Sequence, residues 1–282
     1  MSVCIMKLIK IRNCKSSFFV RINTDRFIDY HSEVCTLSND AIKLLDSENY
    51  TIPLVSQDDK KVLIKVYGQS KHFSEIGHCY TGEVDMTFGS PYFSDNPKDA
   101  ILLKGAIVDR YVINKEMSQG EIVYLDADRF LAENSGEKLT HHKLSRIVMQ
   151  GITGVNEKTR LKMTLVKNAF CANSVNYLIL KEKKGVDINF VLALFNSRLM
   201  NYVFRKFSTN SNVNGYEVDN LPIPKEIPEG TQMQVKKMVE DILTAKRMNL
   251  SANTKQLENQ INQIIYKLYG LTPEEIKIVE WK

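Results

Sequence analysis

Between Ala100 and Lys181 the apolar residues come in short runs broken by turn residues: Ile101 to Lys104, Ile107 to Ile113, Glu121 to Asp126, Ser145 to Ile152, Leu161 to Val166 and Val175 to Leu180. Short apolar runs bounded by turn signals are the signature of strands, and their close spacing predicts a mostly antiparallel sheet. Within this stretch Lys158 to Leu165 alternates: Leu161, Met163 and Leu165 share one parity, and Lys158, Arg160, Lys162 and Thr164 share the other. As a strand, that segment buries one face and presents a cationic one.

The flanking regions follow different periods. Before Tyr67 the chain reads as strands around one short helix: Val3 to Ile11, Ser17 to Ile22, a helix Asn39 to Ser47 capped by Ser38, and Val62 to Tyr67 after a charged turn at Asp58 to Lys61. Gln69 to Asn96 keeps no regular period and reads as a structured loop region. From Asp187 to about Phe207, Val191, Leu194, Phe195, Leu199, Tyr202 and Val203 recur at helical spacing and predict one amphipathic helix. A polar loop, Ser208 to Gly215, precedes Leu221-Pro222-Ile223-Pro224, which cannot be helical. Beyond Gly230, Leu243, Leu250, Leu257 and Ile264 stand seven apart, with Ile261 and Leu268 beside them, so one or two long helices are expected, broken near Asn249 to Asn253. The fold class expected is α+β: one domain over 1–230, with a strand-rich part at 1–68 and a core at 69–230, and a helical appendage over 231–282.

With 43% apolar residues in 282, a sizeable core is available. The formal charge of +5 is modest, but its distribution is not: nine basic side chains against two acids lie between His141 and Lys184. Five widely spaced cysteines with no C-x-x-C pair argue against a disulfide framework or a zinc cluster and fit a reducing cytoplasm. Neither a signal peptide nor a membrane-spanning run is expected; the nearest stretch, Val186 to Phe207, carries Asp187, Arg198 and Arg205.

Motifs for chemistry are sparse. Ser90-Pro91-Tyr92-Phe93 approaches the base-holding turn of an amino-methyltransferase but lacks the second proline and any glycine-rich cofactor loop. Asp46, Asp59 and Lys61 fit a loose nuclease spacing that chance readily produces. Adjacent His141 and His142 diverge on either a strand or a helix, and His31, His72 and His78 have no triad partners at recognisable spacing. No cofactor, metal site or catalytic residue is expected.

Five strings occur in one order: Tyr80-Thr81-Gly82-Glu83-Val84; Leu103-Lys104-Gly105-Ala106-Ile107-Val108-Asp109-Arg110-Tyr111; Leu194-Phe195-Asn196-Ser197-Arg198-Leu199; Leu221-Pro222-Ile223-Pro224; and Ile265-Tyr266-Lys267-Leu268-Tyr269-Gly270-Leu271-Thr272. Together they resemble the TaqI-like C-terminal specificity domain, the target-recognition region of fused type II restriction-methylation enzymes, and more distantly the specificity subunits of type I systems. The resemblance spans nearly the whole chain. It implies an α+β domain lying over the DNA groove, with helices docking it onto a methyltransferase or endonuclease part. The methyltransferase region that normally precedes such a domain is absent from this sequence. The resemblance also implies that the loop from Gly82 to Phe93 approaches DNA, with Tyr92 in contact.

Duplex binding needs cations for phosphates and arginine or amide groups for base edges. Lys158, Arg160 and Lys162 are candidates for the first task, the alternative being a solvated sheet face. Arg110, Arg146 and Gln150 are candidates for the second, the alternative for Arg110 being a salt bridge within the sheet. The segment from Arg205 and Lys206 through Asn210, Asn212 and Asn214 suits groove contact or simply a good turn. The partners considered with the recognition reading are duplex DNA, a methyltransferase or endonuclease part and a second copy through the C-terminal helices; the rival readings are a stand-alone or degraded nuclease or methyltransferase, and an interaction scaffold in which those helices are the functional surface.

Overall fold

The structure, a computed structural model, describes residues 17–22, 33–114, 121–181 and 185–281. The expected strand Val3 to Ile11 lies outside them, as do Cys4, Cys14, His31, Lys183 and Lys184. In chain order come the antiparallel pair β1 (Ser17–Arg21) and β2 (Val34–Ser38), then α1 (Asn39–Leu45) and α2 (Gln57–Gly68). Next are β3 (Ser70–His72), β4 (Gly77–Thr81), β5 (Phe93–Ser94), β6 (Ala100–Leu103), β7 (Val108–Asp109), β8 (Val112–Ile113), β9 (Val123–Leu125) and α3 (Ala127–Glu133). There follow β10 (Arg146–Gln150), β11 (Met163–Val166), β12 (Phe170–Cys171), β13 (Val175–Leu180), α4 (Ile188–Asn196), α5 (Arg198–Phe207), α6 (Gly215–Asp219) and β14 (Pro222–Pro224). Three helices end the chain: α7 (Glu229–Met248), α8 (Lys255–Leu268) and α9 (Pro273–Trp281).

The fold class is α+β. Its central sheet runs β11-β10-β13-β4, antiparallel throughout; a second sheet runs β12-β6-β9-β5, with β12 and β6 parallel. Side chains of β10 alternate between two apolar environments, because both faces of the central sheet are covered. Ile147 and Met149 join the large core with α4 and α5, whereas Val148 meets Val175, Tyr177, Leu103 and Val108 on the other face.

Three local expectations are corrected. Val62 to Tyr67 is not a strand but the second half of α2. Ser56 and Asp59 close a capping box, each side chain accepting the other's backbone N–H, and Val62, Leu63, Val66 and Tyr67 then form one buried stripe at helical spacing. The helix expected over Asp187 to Phe207 is two helices that break at Ser197. That residue is extended, its hydroxyl accepts from the Met200 amide, and Asn262 of α8 accepts from the Arg198 amide. Gln69 to Asn96 is more regular than expected, containing β3, β4 and β5.

The C-terminal helices do break where the sequence interrupts its seam, between Asn249 and Thr254. Val235, Val239, Ile242, Ile261 and Ile265 are buried in the same core as α4 and α5. Leu221-Pro222-Ile223-Pro224 enters that core as β14, paired with β3, and the Tyr269 hydroxyl donates to the Pro222 carbonyl at 2.7 Å. Two of the five family-like strings therefore touch. Among the described residues no helix is long and apolar enough to cross a membrane.

Candidate nucleic-acid interface

One end of the central sheet gathers loops from distant parts of the chain. β4 and β10 finish there and β13 begins there, since Thr81 pairs with Asn176 and Gln150 with Val175. The turn Ala172 to Ser174, between β12 and β13, is the hub. Its Ser174 carbonyl accepts from the Gly151 amide, the Ser174 hydroxyl accepts from the Gly105 amide, and the Asn173 amide donates to the Val84 carbonyl. Three glycines make this closeness possible. A Cβ on Gly82 would lie 2.0 Å from the Ala172 carbonyl oxygen, on Gly105 2.5 Å from that of Ser174, and on Gly151 2.8 Å from the same atom. The Gly82 and Gly105 strings, separate in sequence, thus meet at one turn because each needs the absence of a side chain there.

The segment 151–162 and the loop 208–214 are tied into the same end. The Val213 amide donates to the Gly151 carbonyl, and the Thr153 amide to that of Ser211. Arg160 lies between them, 1% exposed, donating to the Thr153 and Ser208 hydroxyls at 3.0 Å each and to the Asn212 carbonyl at 3.1 Å. Its guanidinium sits over the Phe204 ring, and burial pulls its pKa below the ordinary value. Arg160 is a clamp between two loops rather than an outward cation.

This corrects the alternating strand read over Lys158 to Leu165. The strand starts only at Met163, and Arg160 and Thr164 are buried along with Leu161 and Met163. Side-chain amides from the helices replace a strand ladder here: Asn201 Oδ1 accepts from the Arg160 and Leu161 amides, and Asn196 makes hydrogen bonds in both senses with the Met163 backbone. Lys162 pairs with Glu157 at 2.7 Å, and Lys158 is exposed.

The other candidates divide. Arg146 is fully buried, pairing through two hydrogen bonds with Glu83, donating to the Ala169 carbonyl and lying 4.1 Å over the Tyr177 ring. Burial alone lowers its pKa, but the bonds to Glu83 outweigh that and raise it. Its side chain is closed off from solvent. Arg110 docks the β7–β8 hairpin onto α8 through Glu258 at 2.5 Å, and Gln150 donates to the Val108 carbonyl at 2.7 Å. Lys206 pairs with Asp59 at 2.9 Å, Asn214 helps cap α6 with Glu217, and Arg205 is half-buried in the last turn of α5. Tyr92 is half-buried, its ring edge-on to Phe130 at 5.3 Å with the Arg129 guanidinium above it. Exposed at the rim are Lys158, Asn210 and Asn212, the Asn210 Oδ1 accepting from the Asn212 amide. Sequence reasoning missed two exposed groups there, Phe88 and Ile152, 84% and 62% accessible. The sequence signal for the first was Asp85 three residues before it and Gly89 after, a tight-turn pattern that displays whatever stands between.

The acidic residues weighed for metal chemistry serve structure. Asp46 accepts from the Asn49 and Thr51 amides and the Thr51 hydroxyl, holding the turn that puts Tyr50 at φ 53°. Asp59 is buried; burial pushes its pKa up, but Lys206, the Ser56 amide and the Tyr202 hydroxyl outweigh that and hold it far below 3.8. A depressed folded-state pKa adds stability that is present above the unfolded value and lost as pH falls toward the folded one. Asp59→Asn is therefore expected to lose about 2–3 kcal/mol at neutral pH and progressively less as pH falls below 3.8 toward the folded-state pKa, read by urea unfolding at neutral pH and at a strongly acidic pH. Equal losses at the two pH values would remove charge from the explanation. Among the described residues no group of three or more His, Cys, Asp and Glu is placed to hold a metal ion.

No family model matches the chain, and no curated protein matches it. Among solved structures it is similar to the type IIL restriction-modification enzyme MmeI in complex with DNA, with a TM-score of 0.49 and 10% identity over 75% of this chain and 35% of that one. The chain spans about a third of the length of that protein.

Proposed function

We propose that the chain is a sequence-specific duplex-DNA recognition module of a restriction-modification system, one that directs a methyltransferase or endonuclease part to its site. The observation that carries this reading is the rim at the end of the central sheet. Loops 82–92, 151–159 and 208–214 are pinned to the turn at 172–174 or to one another, and present amides at Asn210 and Asn212, a lysine at 158 and apolar groups at Phe88 and Ile152. Such a mixture on fixed backbone suits DNA: cations engage phosphates, amides read base edges and apolar groups touch thymine methyls or stacked bases. The order of the five family-like strings supports the same reading, and glycines from two of them build the hub. The apolar seam of α7 and α8 is used within the chain, which leaves their outer faces for docking a partner domain or a second copy.

A gel shift with a random-sequence duplex pool across a salt series tests the proposal. Retardation that weakens steeply with salt is expected, and Lys158→Ala is expected to reduce the slope of log K against log salt by roughly 0.9 while leaving the fold intact. A scaffold protein would give little retardation at any salt, and that outcome would sink the reading.

A further inference from the structure

Phe88 is the most exposed aromatic side chain among the described residues, at 84%, yet the turn that displays it is tightly held. Asp85 Oδ1 accepts from the Thr87 and Phe88 amides at 2.8 and 3.1 Å, and its Oδ2 accepts from Asn173 Nδ2 at 2.8 Å. The Asp85 carbonyl accepts from the Gly89 amide at 2.8 Å, and the Ser90 hydroxyl donates to the Thr87 carbonyl at 2.9 Å. Gly89 is required by the packing, since a Cβ there would lie 2.6 Å from the Asp85 carbonyl and 2.8 Å from Val84 Cγ1. A carboxylate, a side-chain amide and a glycine thus combine to hold one phenyl ring in water. Nothing in the turn's own stability needs that ring, because its hydrogen bonds all run through other groups.

We infer that Phe88 is a wedge that enters between stacked base pairs of the bound duplex, a role that rests on the DNA-recognition reading above. The Asn173 link ties the turn to the hub, so the ring's position is set by the same backbone that sets the loops at 151–159 and 208–214. A wedge has to be rigid before contact, or the order it gains on insertion offsets the stacking it makes. The one carboxylate on the turn is committed to these hydrogen bonds, which hold its pKa below 3.8. Lys138, from the segment Glu137–Lys143, reaches the Thr81 carbonyl at the loop's root at 3.5 Å, which puts an exposed cation at the foot of the loop that carries the ring. Apolar side chains inserted at a base step unstack it and kink the duplex, and aromatic stacking on bases tolerates many sequences.

The experiment compares wild type, Phe88→Ala and Phe88→Trp on the random-sequence duplex pool, then on duplexes recovered from it by repeated binding to wild type and carrying 2-aminopurine. Alanine is expected to weaken binding roughly tenfold or more, with an unchanged salt slope and an unchanged circular dichroism spectrum, and tryptophan to retain affinity. Wild type is expected to brighten 2-aminopurine at one step, and Phe88→Ala not to. If wild type retards DNA but alanine matches it in affinity and fluorescence, the wedge is overturned while DNA recognition stands. If alanine also flattens the salt slope, the ring supports phosphate contacts instead and the wedge is again overturned. If wild type retards no duplex, both readings fall together, and an exposed ring for a protein partner replaces them.

Discussion

Replacing Arg146 with alanine is expected to remove about 3–5 kcal/mol of stability in equilibrium urea unfolding, the largest effect of any single polar side chain among the described residues. Arg146 and Glu83 are both inaccessible to water and 2.6 Å apart. Losing the arginine leaves a carboxylate in the interior with its two donors gone, and also deprives the Ala169 carbonyl and the Tyr177 ring of their partner. The pair as a whole is not expected to be worth that much. Desolvation of two ions offsets most of their attraction, so Glu83→Leu with Arg146→Met is predicted to recover more than half of the loss. A double variant no more stable than Arg146→Ala would show that the pair is itself a net contributor. If the proposed function holds, a gel shift run beside it separates architecture from recognition, since an arginine whose side chain lies wholly inside the protein should change DNA affinity only as far as it changes the folded fraction.

Gly82→Ala is the second large effect, about 2–4 kcal/mol. The new methyl would stand 2.0 Å from a backbone carbonyl and 2.6 Å from two further backbone atoms, Ala172 C and Cys171 O, none of which belongs to a side chain that can swing aside. Either β4 or the turn at 172–174 must shift, and both are anchored on several sides. Gly230→Ala is the matched control: nothing lies within 4 Å of the methyl it would gain and the residue sits in α7, so a small gain of up to about 1 kcal/mol is expected from helix propensity. Thermal unfolding of the two variants side by side decides the matter, and a mild Gly82→Ala would mean that the hub is softer than its geometry implies.

The elements that the sequence revealed are those in which local chemistry and tertiary packing agree. Ser38 before an apolar-periodic run gave α1 with its cap, Val175 to Leu180 gave β13, and the interrupted seam after Leu243 gave the break between α7 and α8. Val62 to Tyr67 misled because a run of valine, isoleucine and tyrosine satisfies both a strand and a buried helix face; the Ser56 and Asp59 pair was the signal that decides for helix. The break at Ser197 was visible only as an Asn-Ser pair, whose Asn196 turns out to serve the Met163 backbone.

The candidate site was less legible. A two-residue period predicts which side chains share a face only if the segment is a strand, and 158–162 is not one. Arg160 looked like its neighbours Lys158 and Lys162, but a guanidinium has enough donors to satisfy a hydroxyl, another hydroxyl and a carbonyl at once, and so can be buried where a lysine could not. Arg146 likewise needed Glu83, 63 residues away, and no local pattern announces such a partner. What sequence did show was the Asn-rich loop and the glycines of the two family-like strings; that those glycines converge on one turn is a property of the fold alone.

That convergence also bears on how readily the surface can change. A Cβ on Gly82, Gly105 or Gly151 would meet a backbone carbonyl first, so these anchors do not depend on the exposed positions 87–88, 154–156 and 209–210, which owe little to the interior. Cassettes of altered chemistry inserted at those three places, with the anchors kept, should return folded chains at high frequency from a combinatorial library. New binding preferences would then arise without any renegotiation of the scaffold beneath.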